Sequence, residues 1–138
     1  MSVQTIGIVG LGMLGRGIAA CLLSHGFRVI AYTLDPATRA EARAHIASAI
    51  EELVRRGGFP EGLLAEWEGR YVEAGGLAEL APCDFVIESI FEDLDAKQRL
   101  FDDVEGLVAP NVPIASNTSA LPITVLQEGR RRPERFVG

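Results

Sequence analysis

Apolar residues in this chain gather into short continuous runs, and longer stretches with helical periodicity separate them. "QTIGIVG" predicts a strand ending in glycine. "MLGRGIAACLLSHG" has helical composition and closes on Gly26, a suitable C-terminal cap. "FRVIAY" predicts a second strand. In "LDPATRAEARAHIASAIEELVRRGG", Asp35 and Pro36 fit an N-cap followed by a first-turn proline. Ile46, Ile50 and Leu53 recur there at helical spacing, and Gly57-Gly58 ends the helix. The next stretch predicts a short helix around Leu63 to Trp67, a brief strand at Tyr71-Val72 and a turn at Gly75-Gly76. "CDFVIESI" predicts a buried strand. "LDAKQRLFDDVEGLVA" predicts an amphipathic helix with Leu100, Phe101, Val104, Leu107 and Val108 on one face. "VPIAS" is a further strand, and "RFVG" starts another.

Apolar strands alternating with helices predict an α/β fold, with a mainly parallel sheet covered by helices on both faces. The longest interruption follows the second strand, where a helical hairpin excursion is expected. There is no internal repeat and no low-complexity segment.

With 138 residues, 48% of them hydrophobic, the chain is expected to form one globular domain over 1–138. A net charge of -6 argues against nucleic acid as the main partner. Arg130, Arg131 and Arg132 form the one basic knot, read as a solvated loop or else as an anion contact. Cys21 and Cys83 lie far apart and suggest neither a disulfide framework nor a metal pair; buried free thiols in a reducing cytosol are expected. The first predicted strand starts close to Met1, and no apolar run reaches membrane-spanning length. A cytoplasmic protein without a membrane partner is expected.

"GLGMLG" places Gly10, Gly12 and Gly15 between a predicted strand and a predicted helix. Gly10 permits a tight turn, Gly12 lets a pyrophosphate approach the backbone, and Gly15 allows close helix packing. The free N–H groups of the helix start then face the anion. In this context the motif predicts dinucleotide binding on a doubly wound Rossmann-type domain; a packing turn that binds nothing is the alternative. An acid at the end of the second strand normally holds the adenosine ribose of NAD. Here Thr33 follows Tyr32, and Asp35 lies further on. A threonine hydroxyl can bond a ribose hydroxyl. Asp35 could reach in, or it could serve only as the cap before Pro36. Arg39 is the nearby cation that a phosphorylated ribose would want. NAD is favoured, with NADP left open.

"GLGMLGRGIA", "DFVIESIFEDLDAKQRLF" and "PIASNTSALPI" together resemble the NAD-binding domain of the L-3-hydroxyacyl-CoA dehydrogenase family, and the resemblance runs over essentially the whole chain. It implies that Gly10, Leu11, Gly12, Met13, Leu14 and Gly15 form the pyrophosphate loop. Thr33 stands where the family usually has its ribose-binding acid. Glu92 and Lys97 match an acid and a lysine that contact the nicotinamide half. Ser119 matches a serine near both the nicotinamide and the substrate hydroxyl, and Asn117 belongs to the same turn. Positions that touch coenzyme A fall on Ala49, which cannot hydrogen-bond through its side chain, and Arg56, which could keep a cationic contact. Simpler readings stand beside these. Glu92 could be a first-turn acid facing the helix dipole, Lys97 could pair with Asp93, and Ser119 could cap the helix before "ALPIT". His25 and His45 are read as surface residues and not as bases.

In the resembling family the strand that begins like "RFVG" continues to a histidine, the general base for the 3-hydroxyl proton. A helical domain then completes the acyl-CoA site and usually a homodimer. The 138 residues are therefore expected to be the cofactor domain of a 3-hydroxyacyl-CoA oxidoreductase, to bind NAD and to be catalytically incompetent. A serine hydroxyl is a poor proton acceptor near neutral pH, so Ser119 is not expected to replace the base. Two alternatives are a non-catalytic NAD(H)-binding module and a dehydrogenase of another 3-hydroxy acid on the same scaffold.

Overall fold

A computed structural model describes residues 3–118 and 121–138. Six strands form one sheet: β1 (Thr5–Val9), β2 (Arg28–Tyr32), β3 (Tyr71–Glu73), β4 (Phe85–Glu88), β5 (Ile114–Ser116) and β6 (Phe136–Val137). Their order is β3-β2-β1-β4-β5-β6, and every neighbouring pair is parallel. The helices are α1 (Met13–Ser24), α2 (Pro36–Arg56), α3 (Leu63–Glu66), α4 (Leu94–Leu107) and α5 (Ile123–Gln127). Short 3-10 turns at Trp67–Arg70, Leu77–Leu80 and Pro133–Arg135 complete the chain.

The strands are apolar on both faces because each face is covered. Ile6, Ile8, Val29 and Ala31 pack against Ala19 and Leu23 of α1 and against Ile46 and Ile50 of α2. Val9, Ile30, Val86 and Ile114 pack against Phe101 and Val104 of α4 and Leu126 of α5. The expected helical excursion is α2 with a short return limb in α3. Leu63 of that limb and Trp67 in the turn after it enter the same core as α2. Asp35 caps α2 as expected, accepting from Ala37 N at 3.0 Å, and Asp93 caps α4, accepting from Ala96 N at 2.9 Å.

Two expectations are corrected. Cys21 is exposed, not buried, because α1 packs through Gly15, Ala19, Ala20 and Leu23 and turns Cys21 outward. Arg130 is not solvated: its side chain is only 4% exposed. It lies 5.9 Å from the Phe136 ring and bonds Asp102 Oδ1 at 2.5 Å and Gln98 Oε1 at 3.2 Å. Cys83 is buried, and burial followed by the neighbouring Asp84 charge pushes its thiol up to about 11. An aromatic disulfide reagent at about pH 8 is therefore expected to titrate Cys21 alone in the folded chain and both thiols in denaturant. Rapid reaction of both thiols under native conditions would contradict the burial of Cys83. Among the described residues no helix is long and apolar enough to cross a membrane, and no cluster of metal-ligating side chains occurs.

Candidate functional site

The strand order reverses at β1, whose neighbours are β2 on one side and β4 on the other. Crevices in such sheets open at the carboxyl ends of the strands beside this point. Three backbone bonds carry the strands' pairing into the loops there: Gly10 N to Tyr32 O at 2.9 Å, Ser89 N to Val9 O at 2.7 Å, and Asn117 N to Glu88 O at 2.8 Å.

The three glycines have different reasons to be glycine. Gly10 has φ +102°, and a Cβ there would meet Ser89 O at 2.5 Å. A Cβ on Gly15 would come within 2.0 Å of Gly10 O. A Cβ on Gly12 would meet nothing within 4 Å. Packing therefore demands Gly10 and Gly15, whereas Gly12 faces open space at the start of α1. Gly12 caps α1 without a side-chain acceptor, and the first turn holds no acid. The first amides of the helix are thus left with their partial positive charge directed outward. Arg16 braces the loop by donating from Nε to Leu11 O at 3.1 Å.

Two clefts meet at this loop and share Gly12, Ser89, Ile90 and Phe91. The larger, about 660 Å³, runs past the end of β2 along Thr33, Leu34, Asp35 and Thr38 and reaches α4 at Arg99. The smaller, about 430 Å³, is walled by Met13, Leu14, Glu92, Asn117 and Thr118. The exposed side chains of Met13, Leu14 and Phe91 make an apolar rim around it. In the larger cleft Asp35 also caps α2, since its carboxylate takes Ala37 N and the Thr38 hydroxyl, the latter at 3.3 Å. Arg99 is the cation that lines this cleft, and Arg39 is not one of its walls.

Behind the smaller cleft lies a charged network. Lys97 is fully buried and Glu88 is 1% exposed. Lys97 Nζ lies 2.5 Å from Glu88 Oε2, 3.2 Å from Glu92 Oε1 and 3.4 Å from Ile90 O. Glu88 also accepts from Ile90 N at 2.7 Å and from Ser116 Oγ at 2.5 Å. Thr118 Oγ1 donates to Glu92 Oε2 at 2.6 Å and accepts from Leu121 N at 3.1 Å. Lys97 thus turns to Glu88 and Glu92, and not to Asp93, whose carboxylate caps α4. Glu92 precedes that cap, so it is not a first-turn acid. Sequence reasoning missed Glu88, Ser116, Thr118 and Arg99. The signal for Glu88 was one acid inside an otherwise apolar strand.

The remaining expected site residues lie elsewhere. Arg56 is exposed, pairs with Glu52 at 3.0 Å and lines neither cleft. Ala49 packs against the core on the α1 and α2 side. Ser119 lies outside the described residues. His25 is exposed, bonds Cys21 O through Nδ1 at 2.8 Å and stands edge-on to Phe59. His45 is half-buried and, like His25, lines neither cleft.

Comparison with known proteins agrees with this geometry. A family profile described as "3-hydroxyacyl-CoA dehydrogenase, NAD binding domain" matches residues 5–138. The chain is 31% identical over 136 residues to the 3-hydroxybutyryl-CoA dehydrogenase of Bradyrhizobium diazoefficiens, covering 99% of this chain and 46% of that protein. It is 34% identical to the 5-formyl-3-hydroxy-2-methylpyridine 4-carboxylate 5-dehydrogenase of Mesorhizobium japonicum, covering 99% of this chain and 43% of that one. Among solved structures, (S)-3-hydroxybutyryl-CoA dehydrogenase PaaH1 from Ralstonia eutropha superposes with a TM-score of 0.90 at 33% identity, covering 98% of this chain and 48% of that chain. The chain spans less than half the length of each of these relatives.

Proposed function

This chain belongs to the family of 3-hydroxyacyl-CoA dehydrogenase NAD-binding domains, and from that premise we propose that it is the cofactor-holding part of an oxidoreductase that interconverts 3-hydroxyacyl-CoA and 3-ketoacyl-CoA. The observation that carries the reading is Gly12: bare, uncrowded and placed where two clefts meet at a helix start. A pyrophosphate fits there because no side chain stands between it and the amides of the Gly10–Gly15 loop. The adenosine half then follows the larger cleft past Thr33, and the nicotinamide half enters the smaller cleft beside Glu92 and Asn117. When bound, NAD supplies the hydride acceptor for a secondary alcohol. The chain's own residues hold the cofactor, orient its ring against Glu92 and Asn117, and shield one side of it with Met13, Leu14 and Phe91.

Turnover also needs a proton acceptor within hydrogen-bond reach of the substrate hydroxyl. Neither His25 nor His45 lies in either cleft, and the Glu92 carboxylate there is held by Lys97 and Thr118, so the 138 residues are expected to bind cofactor without completing the reaction. Calorimetry at up to about 1 mM ligand, where millimolar affinities register, is expected to show heat for NADH and for ADP-ribose, with weaker heat for NADPH. The same preparation is expected to leave NADH unoxidised when given acetoacetyl-CoA. No heat from either NADH or ADP-ribose would remove the cofactor assignment. Steady NADH oxidation would mean that a base is present among these residues.

A second reading keeps the reaction and changes the substrate to a 3-hydroxy compound without coenzyme A. The exposed Arg56, already paired with Glu52, favours it. A relative named for a pyridine carboxylate, acting at its 5-formyl position, supports a substrate without coenzyme A but not the secondary-alcohol reaction.

A further inference from the structure

We infer that Glu88 is a positioning residue for the nicotinamide end of the crevice, acting through Lys97 and Glu92. This deepens the cofactor reading above and rests on it. An ammonium has three N–H donors. Those of Lys97 are matched by three acceptors, Glu88 Oε2, Glu92 Oε1 and Ile90 O. The side chain is fully enclosed, so Lys97 holds these groups together from behind the cleft. Glu88 is equally enclosed and contacts three separate parts of the chain: the Ile90 amide in the loop after β4, Lys97 on α4, and Ser116 at the end of β5. That carboxylate therefore fixes how the β4 and β5 loops stand relative to α4.

The consequence reaches the cleft through Glu92 and Thr118. Lys97 holds one oxygen of Glu92, and Thr118 donates to the other. Both residues are walls of the smaller cleft and neither is a wall of the larger one. Loss of the Glu88 charge frees Lys97 to draw Glu92 inward, while a glutamine oxygen can still accept from the Ile90 amide. The disturbance falls on Glu92 and Thr118, which wall the smaller cleft alone, and spares Ile90, which borders both clefts.

The test compares two ligands on Glu88→Gln. ADP-ribose carries the adenosine, the pyrophosphate and the second ribose but has no nicotinamide ring. The expected result is about a tenfold loss of NADH affinity, equivalent to about 1.4 kcal/mol, with ADP-ribose affinity within about twofold of the parent chain. The enhanced fluorescence of bound NADH should fall in parallel. Equal losses for both ligands would show Glu88 to be a general structural residue, and no loss for either would show that it positions nothing; each overturns the inference. If the parent chain binds neither ligand, the cofactor reading itself fails, and that outcome is visible before any variant is made. Should Glu88→Gln not fold, Ser116→Ala removes one hold on the Glu88 carboxylate and leaves both charges in place. It is held to the same NADH against ADP-ribose comparison.

Discussion

Gly12→Val is expected to abolish measurable NADH and ADP-ribose binding while the chain stays folded. In the free protein a Cβ at this position meets nothing within 4 Å, and the backbone sits at an ordinary φ of -69°. Replacing an N-cap glycine by a β-branched residue costs on the order of 1 kcal/mol or less, so the thermal midpoint should move only slightly. The valine methyl groups would instead occupy the space through which a diphosphate approaches the α1 amides. A loss of about a hundredfold or more, equivalent to about 2.8 kcal/mol, is expected in calorimetry. Gly15→Ala is the instructive contrast: its Cβ would press to 2.0 Å from Gly10 O, so any binding lost there would be confounded by a damaged fold. Unchanged affinity in Gly12→Val would reduce the loop to a packing turn and remove the main support for the cofactor assignment.

The parts of the fold that could be read from the chain are those set by local chemistry. Continuous apolar runs marked the buried strands, and Asp35 marked a helix start because its carboxylate takes an amide only two residues away. The glycine loop was readable for the same reason, since strand, turn and helix follow one another directly. What could not be read depends on which distant elements meet. Arg130 looked like part of a solvated basic knot, yet α4 brings Gln98 and Asp102 to it and β6 brings Phe136. Lys97 looked like a residue that faces either a ligand or its own helix. Its partner Glu88 becomes evident only once α4 lies over the end of β4. An acid in an apolar strand does announce that some partner must exist, because an unpaired buried carboxylate is costly. Nothing in local spacing says which residue supplies it. The division of labour among the three glycines was hidden for a similar reason: Gly10 is crowded by Ser89, which follows the neighbouring strand β4 and is distant in sequence.

Lys97→Ala is expected to destabilise the chain by about 3–5 kcal/mol, the range found when one partner of a buried ion pair is removed. Against a typical domain stability of about 5–15 kcal/mol, that is a large fraction of the total. The reason is asymmetry. Glu88 would keep its bonds to Ser116 and the Ile90 amide but would lose the one cation beside it, in a place that water does not reach. Removing both charges avoids this penalty, so Glu88→Gln with Lys97→Met should recover most of the loss. Glu88→Gln alone should cost less than Lys97→Ala, because Glu92 still faces the ammonium. Urea unfolding reads all of these differences as shifts in midpoint at constant slope. Added salt should leave the ranking unchanged, since screening acts weakly on a pair so enclosed. A loss below about 1 kcal/mol for Lys97→Ala would put the pair in the range of exposed surface ion pairs. It would mean that the carboxylate finds water once the ammonium is gone. The wall behind the nicotinamide side would then be soft, and a residue in a soft wall could not hold Glu92 and Thr118 in position.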